Sequence, residues 1–416
     1  MRCVVWMGVM IGLLLRKPCA AFARKRFVRP GGLARSRRGG IALLAAACAL
    51  AAAATAQAGP REQARRMHDR LAGVPPSAAT LDDMAADIAG GNPLDAALTA
   101  VEAPSFYNVT LKNFAAPWTN RDQSVFVPLN DYTATVIGMV RDDVPFNTVL
   151  SADILYVGSG VNPPYSTSSN AHYEAIEDQG LDLKTTLAQT TQSSLTGLPG
   201  TAAAGVMTTR AAAEAFFTAG TNRAMFRFTV LNHLCKDLEE IKDTTLPVDR
   251  IRQDVSRSPG GDSRIFMNNC AGCHTGMEPL TQAFAYYNFD VAAGRMVYTP
   301  GVVQPKYLQN PDNFRPGYVT PDDGWDNYWR HGQNRLLGWS SALPGSGNGA
   351  QSLGQELGAS DAFARCQVQK VFRNVCLRDP VDGADRTQVD TMVTSFKSGY
   401  RLKRVFAEAA VYCRGD

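Results

Sequence analysis

Cys270-Ala271-Gly272-Cys273-His274 is the stretch on which the reading of this chain turns. Two thiols three residues apart can each reach one vinyl group of a single porphyrin and form a thioether. The imidazole directly after them is then held against the iron as an axial ligand. C-x-x-C-H is therefore the attachment sequence of a c-type haem. Read this way, Cys270 and Cys273 bind the cofactor, one covalent haem c, and His274 is the fifth iron ligand.

Other chemistries use the same residues. A zinc site needs two further Cys or His at close spacing. No second C-x-x-C exists, and the nearest further cysteines are Cys235 and Cys366. A thioredoxin-like redox pair wants a strand-to-helix context. Ile265 and Phe266 precede Cys270 on a short helix-like run. That placement suits an aromatic near a haem edge, and suits an ordinary core residue equally well.

The chain has 416 residues, 45% of them hydrophobic, enough for two or three globular domains. Its formal charge of +4 belongs to the first 58 residues, which hold ten Lys and Arg and no Asp or Glu. The remainder carries 32 basic and 38 acidic residues and no basic block, so nothing points to nucleic acid. Residues 1–58 read as a leader: a basic stretch to Arg38, an apolar run Ile41–Ala54, and a small-x-small cleavage pattern at Ala56-Gln57-Ala58. Leu44–Cys48 is an imperfect lipoprotein box, which makes a lipid anchor at Cys48 the lesser alternative to simple cleavage. No later segment reaches the ~18 apolar residues of a transmembrane span. The expected location is periplasmic or secreted.

Export suits the cysteines. Beyond residue 58 six remain, and the haem takes two. Cys235, Cys366, Cys376 and Cys413 are left, an even number in an oxidising compartment. Cys366 and Cys376 fall on one expected helix, roughly 15 Å apart. That is beyond the ~7 Å a disulfide spans, so each pairs with Cys235 or Cys413 in an order left open, unless all four are buried thiols.

Periodicity predicts a mainly α protein with long irregular loops. Helices are expected over Pro60–Leu71, from Ser77 or Thr80 through Ile88, and over Leu94–Val101. Val125–Val127 has a helical and an extended reading, and Pro128 after it favours a short extended piece. The loop from Gly158 to Asn170 either covers the haem or connects. Ala211–Phe217 and Asn222–Leu238 are helical, with His233 on an apolar face. A Pro- and Gly-bearing linker, 246–261, divides an N-terminal helical region, 59–245, from a cytochrome c-like haem domain, 246–416. Pro279–Phe289 continues the motif as a helix or near-helix. Aromatics from Tyr298 to Trp339, Phe314 among them, serve a haem edge or an ordinary core. Asp361–Leu377, capped by Ser360, and Asp390–Tyr412 close the chain. No internal repeat, dinucleotide-binding glycine motif, phosphate loop, zinc-protease motif or nucleophile elbow is present.

Asn269–His274, followed by Gly276-Met277-Glu278-Pro279-Leu280 and Tyr287-Asn288-Phe289-Asp290, resembles the planctomycete-type cytochrome c family. Phe146–Leu155, Ala204–Thr208 and Ala362–Cys376 resemble its flanking segments. Glu278 stands where that family usually has Asp. The resemblance covers about 145–416. It implies a mainly helical secreted haem protein and licenses no substrate.

The sixth ligand separates functions. Met277 lies too close to His274 to cross the ring. Met296 and His331 are far enough along the chain to supply that ligand, and His172 and His233 are further candidates. A closed site makes an electron carrier serving a redox partner protein. An open site makes a haem enzyme of peroxidase or oxidase type. A third alternative is a surface or assembly protein with a structural haem.

Overall fold

The computed structural model describes residues 58–218, 220–308 and 317–415. The leader with Cys48, and Phe314 of the aromatic run, lie outside the described residues. The described chain is mainly helical, with three two-stranded antiparallel sheets.

Helix α1 (Pro60–Ala72) opens with proline in its first turn and stops at Gly73, whose φ of 72° is a left-handed cap. Helix α2 (Ala78–Ala89) starts at Ser77, whose hydroxyl accepts the Thr80 N–H at 3.1 Å. Helix α3 (Pro93–Val101) completes this opening layer, with Ala64, Met67, Leu81, Met84 and Ala100 inside. Helix α4 (Asp131–Arg141) is buried from Asp131 to Val140. Gly138 makes that burial possible, because a Cβ there would sit 2.1 Å from the Tyr156 ring. Strands β1 (Leu155–Gly158) and β2 (Leu187–Thr190) flank it, with Leu155 opposite Thr190. Helix α5 (Ala171–Asp178) lies between them in sequence, and α6 (Arg210–Phe216) and α7 (Arg223–Leu234) follow.

The motif lies at the start of α8 (Ala271–Thr281), directly after a wide π turn, Phe266–Cys270. A hairpin of β3 (Tyr287–Asp290) and β4 (Arg295–Tyr298) follows, then β5 (Gly324–Asp326) paired with β6 (Ser346–Asn348). Helices α9 (Gly349–Gly358), α10 (Asp361–Cys376), α11 (Gly383–Lys397) and α12 (Leu402–Tyr412) end the chain. Helix α12 packs on α1 and α3. Arg66 and Arg70 of α1 donate to the carbonyls of Arg414 and Cys413, each at 2.7 Å, so the two described ends are joined.

Two local expectations are corrected. The helix expected over Asp390–Tyr412 is two helices. Tyr400 takes a φ of 53° between them, and its carbonyl accepts the Phe146 N–H at 2.9 Å, an interaction a continuous helix would consume. The helix expected over Pro279–Phe289 ends at Thr281, adds one tight turn to Phe284, and becomes strand β3 once Tyr287 and Phe289 pair with β4. Val125–Val127 is in neither helix nor strand, has no strand partner among the described residues, and leaves Phe126 94% exposed.

One apolar core runs from Ala64 to Ala410 and includes residues on both sides of the 246–261 linker, among them Leu234, Leu246 and Leu280. The described residues form a single compact unit. Helix α7 packs against both α8 and α10. A separate small cluster, Ile251, Val255, Phe266 and Ala271, lies under Cys270.

Two disulfides staple the helices. Cys235–Cys366 joins the end of α7 to α10 across 131 residues, with Cα atoms 5.2 Å apart. Cys376–Cys413 joins the ends of α10 and α12, with Cα atoms 5.5 Å apart. Cys366 and Cys376 thus bond to different helices, and the fold supplies the order. Among the described residues no helix is long and apolar enough to cross a membrane.

Candidate functional site

The site begins with a cap. The Asp262 carboxylate accepts the Arg264 N–H at 2.9 Å and starts a single turn, Ser263–Ile265. The π turn that follows widens the helix, a feature that often marks functional positions. It ends on Cys270, which stands immediately before the regular helix α8 as its N-cap. At about 100° per residue, Cys270, Cys273, His274 and Met277 then fall on one side of it.

The opposite face is built for close packing. A Cβ on Gly276 would lie 1.8 Å from Trp329 Nε1. The Gly272 carbonyl accepts the Asp243 N–H at 2.8 Å, and the Thr275 hydroxyl donates to the Asp243 carbonyl at 2.8 Å. The intervening small residues therefore seat α8 on its neighbours, and the reactive side chains point elsewhere.

Cys270 and Cys273 are free thiols, both half-buried. Cys270 packs against the small apolar cluster. The Cys273 thiol faces the Leu238 carbonyl at 3.6 Å. Burial, helped by Glu239, raises the Cys273 thiol above its ordinary range, so it rests protonated.

His274 Nδ1 lies 2.6 Å from Glu278 Oε1, one turn on. An ionised carboxylate can only accept, so Nδ1 carries a proton and donates it, which leaves Nε2 as the nitrogen available to a ligand in the neutral ring. Among the described residues Nε2 has no hydrogen-bond partner, and the side chain is 21% exposed. This is the tautomer a metal-binding imidazole needs.

Glu278 is itself wholly buried and held from two sides. Arg223 Nε donates to Oε1 at 2.7 Å, and Arg252 Nη2 lies 2.7 Å from Oε2. Arg223 also makes a two-pronged pair with Asp254, at 2.7 and 2.8 Å. Arg252 is buried, donates to Thr221 Oγ1 at 2.8 Å, and lies over the Tyr307 ring at 4.7 Å. Burial alone would raise the Glu278 carboxyl. Arg252, Arg223 and the His274 hydrogen bond outweigh it and hold the group well below the usual carboxylate range. A cavity of about 510 Å³ beside Glu278's partners is lined by Arg223, Arg227, Phe228, Leu238 and Met277.

The other expected ligands are placed as follows. Met296 pairs opposite Phe289 in the hairpin and lines a different cavity, with Tyr165 and Arg210. His331 is exposed and follows the turn Tyr328–Arg330, whose Trp329 packs on the Gly276 face of α8. Gly276 lies about 200° around the helix from His274. His172 is buried with both ring nitrogens engaged, Nε2 by the Gly158 N–H at 2.9 Å and Nδ1 with the Pro163 carbonyl at 2.7 Å. His233 is buried with Nε2 at 2.8 Å from the Tyr132 hydroxyl. His172 therefore has no nitrogen left for iron; His233 Nδ1 has no hydrogen-bond partner among the described residues, but it is enclosed in the core. The Gly158–Asn170 loop packs through Ser168 against Gly294 of the hairpin turn. Trp325 and Trp329 belong to the main core.

Among the described residues no group of three or more His, Cys, Asp or Glu is arranged to hold a metal ion. A tetrahedral zinc site would require one, whereas a haem needs only His274 from this face. Comparison with protein-family models, with curated proteins and with solved structures returned no match to this chain.

Local sequence reading reaches Cys270, Cys273 and His274, and the i, i+4 spacing points to Glu278. Arg223, Arg252 and Asp254 carry no such signal. They stand 24 to 55 residues before Glu278 in the chain and join it only through tertiary packing.

Proposed function

We propose that the chain is an exported c-type cytochrome that carries one covalent haem and passes electrons to a redox partner protein. One observation carries this reading. Six cysteines lie in the described residues; four are closed in two disulfides, and the two of the C-x-x-C-H motif remain as thiols beside His274. The residues fit the group. Cys270 and Cys273 would hold it, His274 Nε2 would ligate its iron, and the Ile251, Val255 and Phe266 cluster would shield the Cys270 edge from water. When bound, haem supplies one-electron iron chemistry. The resemblance to planctomycete-type cytochromes, with Glu278 in place of Asp, supports the same reading. So do the two disulfides, which belong to an oxidising compartment.

The test is the visible spectrum of the denatured chain after expression with a haem-attachment system. Haem that stays with the chain is expected. A Cys270→Ala, Cys273→Ala double variant loses it entirely. A wild-type chain without covalent haem overturns the proposal.

A second reading, a haem enzyme with an open position opposite His274, draws on the placement of the alternative ligands. His172 and His233 are committed to the core, and Met296 and His331 sit on other elements. A high-spin ferric spectrum that shifts on adding cyanide supports the enzyme; a low-spin spectrum inert to cyanide supports the carrier.

A further inference from the structure

We infer that Glu278 is a positioning residue that holds the His274 imidazole and lowers the reduction potential of the site. The inference rests on the haem reading above and deepens it.

The geometry is specific. Glu278 is one turn beyond His274, and its oxygen stands 2.6 Å from Nδ1. Its side chain is fully buried, so water cannot replace it as the acceptor. An anionic acceptor on Nδ1 pulls the N–H proton and enriches Nε2 in electron density, making it a stronger donor. A stronger donor favours the more positive ferric iron over the ferrous, which lowers the potential.

The two arginines make the effect adjustable. Arg223 and His274 share the same oxygen, Oε1, while Arg252 occupies Oε2. The Arg223 hydrogen bond and the Arg252 ion pair each leave less of the carboxylate charge for the imidazole. Asp254 takes the rest of the Arg223 guanidinium, so the four side chains balance as two acids and two bases. Ion pairing alone would explain a carboxylate between Arg223 and Arg252. It does not explain why that carboxylate also faces the imidazole that follows the thiols.

The experiment is a reduction potential measured by spectroscopic redox titration on the haem-loaded full chain. Glu278→Gln keeps an acceptor for Nδ1 but removes the charge, and the potential is expected to rise. Glu278→Asp restores the charge and is expected to recover some of the wild-type value. Arg223→Gln removes the competing cation, and the potential is expected to fall. Because the two shifts have opposite sign, a general loosening of the site cannot produce both. If Glu278→Gln fails to fold, Arg223→Gln, on a partly exposed side chain, still decides the matter. Unchanged potentials, or a rise in both variants, overturn the inference. A wild-type chain without covalent haem instead overturns the haem reading, so the two failures are distinct.

Discussion

His233 and His274 both sit on helices, and both have a ring nitrogen engaged by a side chain, yet their surroundings differ in kind. His233 is 1% exposed. Its ring stacks on Phe363 at 6.3 Å, meets Trp118 edge-on at 5.4 Å, and uses Nε2 on the Tyr132 hydroxyl. Around it α7 is tied to α10 by Cys235–Cys366. Burial, with Lys370 nearby, pushes its pKa well below the ordinary histidine value, so it is neutral. His274 has a charged partner on Nδ1, a partly exposed ring, and two free thiols beside it. Each histidine has one nitrogen without a hydrogen-bond partner among the described residues, but that of His233 is sealed inside the core, whereas the His274 ring reaches the surface beside the thiols. An engaged nitrogen is thus uninformative until the partner and the other nitrogen are known.

The largest expected effect tests the stapled region. Replacing Cys235 and Cys366 together by serine removes a loop closure over 131 residues. The chain-entropy account puts that at about 5 kcal/mol of stability, read as a fall in the denaturation midpoint. Covalent haem at Cys270 and Cys273 is expected to persist in the folded variant, because that closure lies elsewhere. Loss of stability below about 1 kcal/mol would show that packing, not the staple, holds α7 on α10.

Gly276→Ala probes the seat of the motif helix. The added methyl meets Trp329 Nε1, so α8 or the indole must shift. A cost of about 1–3 kcal/mol is expected from overpacking, visible in thermal unfolding. An Ala variant as stable as the parent would mean that α8 is not pinned on that face.

Tyr132→Phe tests the core histidine. It leaves His233 Nε2 buried without its partner and should cost about 1–2 kcal/mol. The visible spectrum of the haem-loaded chain should not change. A changed spectrum would join the His233 core to the His274 site.

The smallest effect is a slope against pH. His233 is neutral when folded because its pKa is lowered. Unfolded, it takes up a proton as pH falls through about 6.5. In that window the unfolded chain binds more protons, so stability drops as pH drops, by at most about 1.4 kcal/mol per pH unit. His233→Phe is expected to flatten the stability curve between about pH 7.5 and about pH 5.5. Equal slopes in parent and variant would remove His233 as its source.

Much of the local structure was legible. The helices α1 to α3 announce themselves through Ser77, the prolines at α1 and α3, and apolar residues at helical spacing, because those signals act within a few residues. The Ser360 cap of α10 is of the same kind, accepting the Phe363 N–H at 3.1 Å. The misread segments depended on distant partners. Tyr400 leaves helical geometry where its carbonyl meets Phe146, and Tyr287–Asp290 is a strand because β4 pairs with it.

The same division applies to the site. The sequence by itself determined which atoms can react: two thiols and an imidazole at a spacing that one helix presents on one side. It also restricted the remaining cysteines, since residues ten apart on a helix cannot bond to each other. Tertiary structure alone decided that Cys235 takes Cys366 and Cys376 takes Cys413, that His172 and His233 are spent in the core, and that Arg223 and Arg252 close on Glu278. Spacing along a helix is a local property of the backbone. Which charges and rings meet depends on how helices far apart in sequence pack, and no local pattern encodes that.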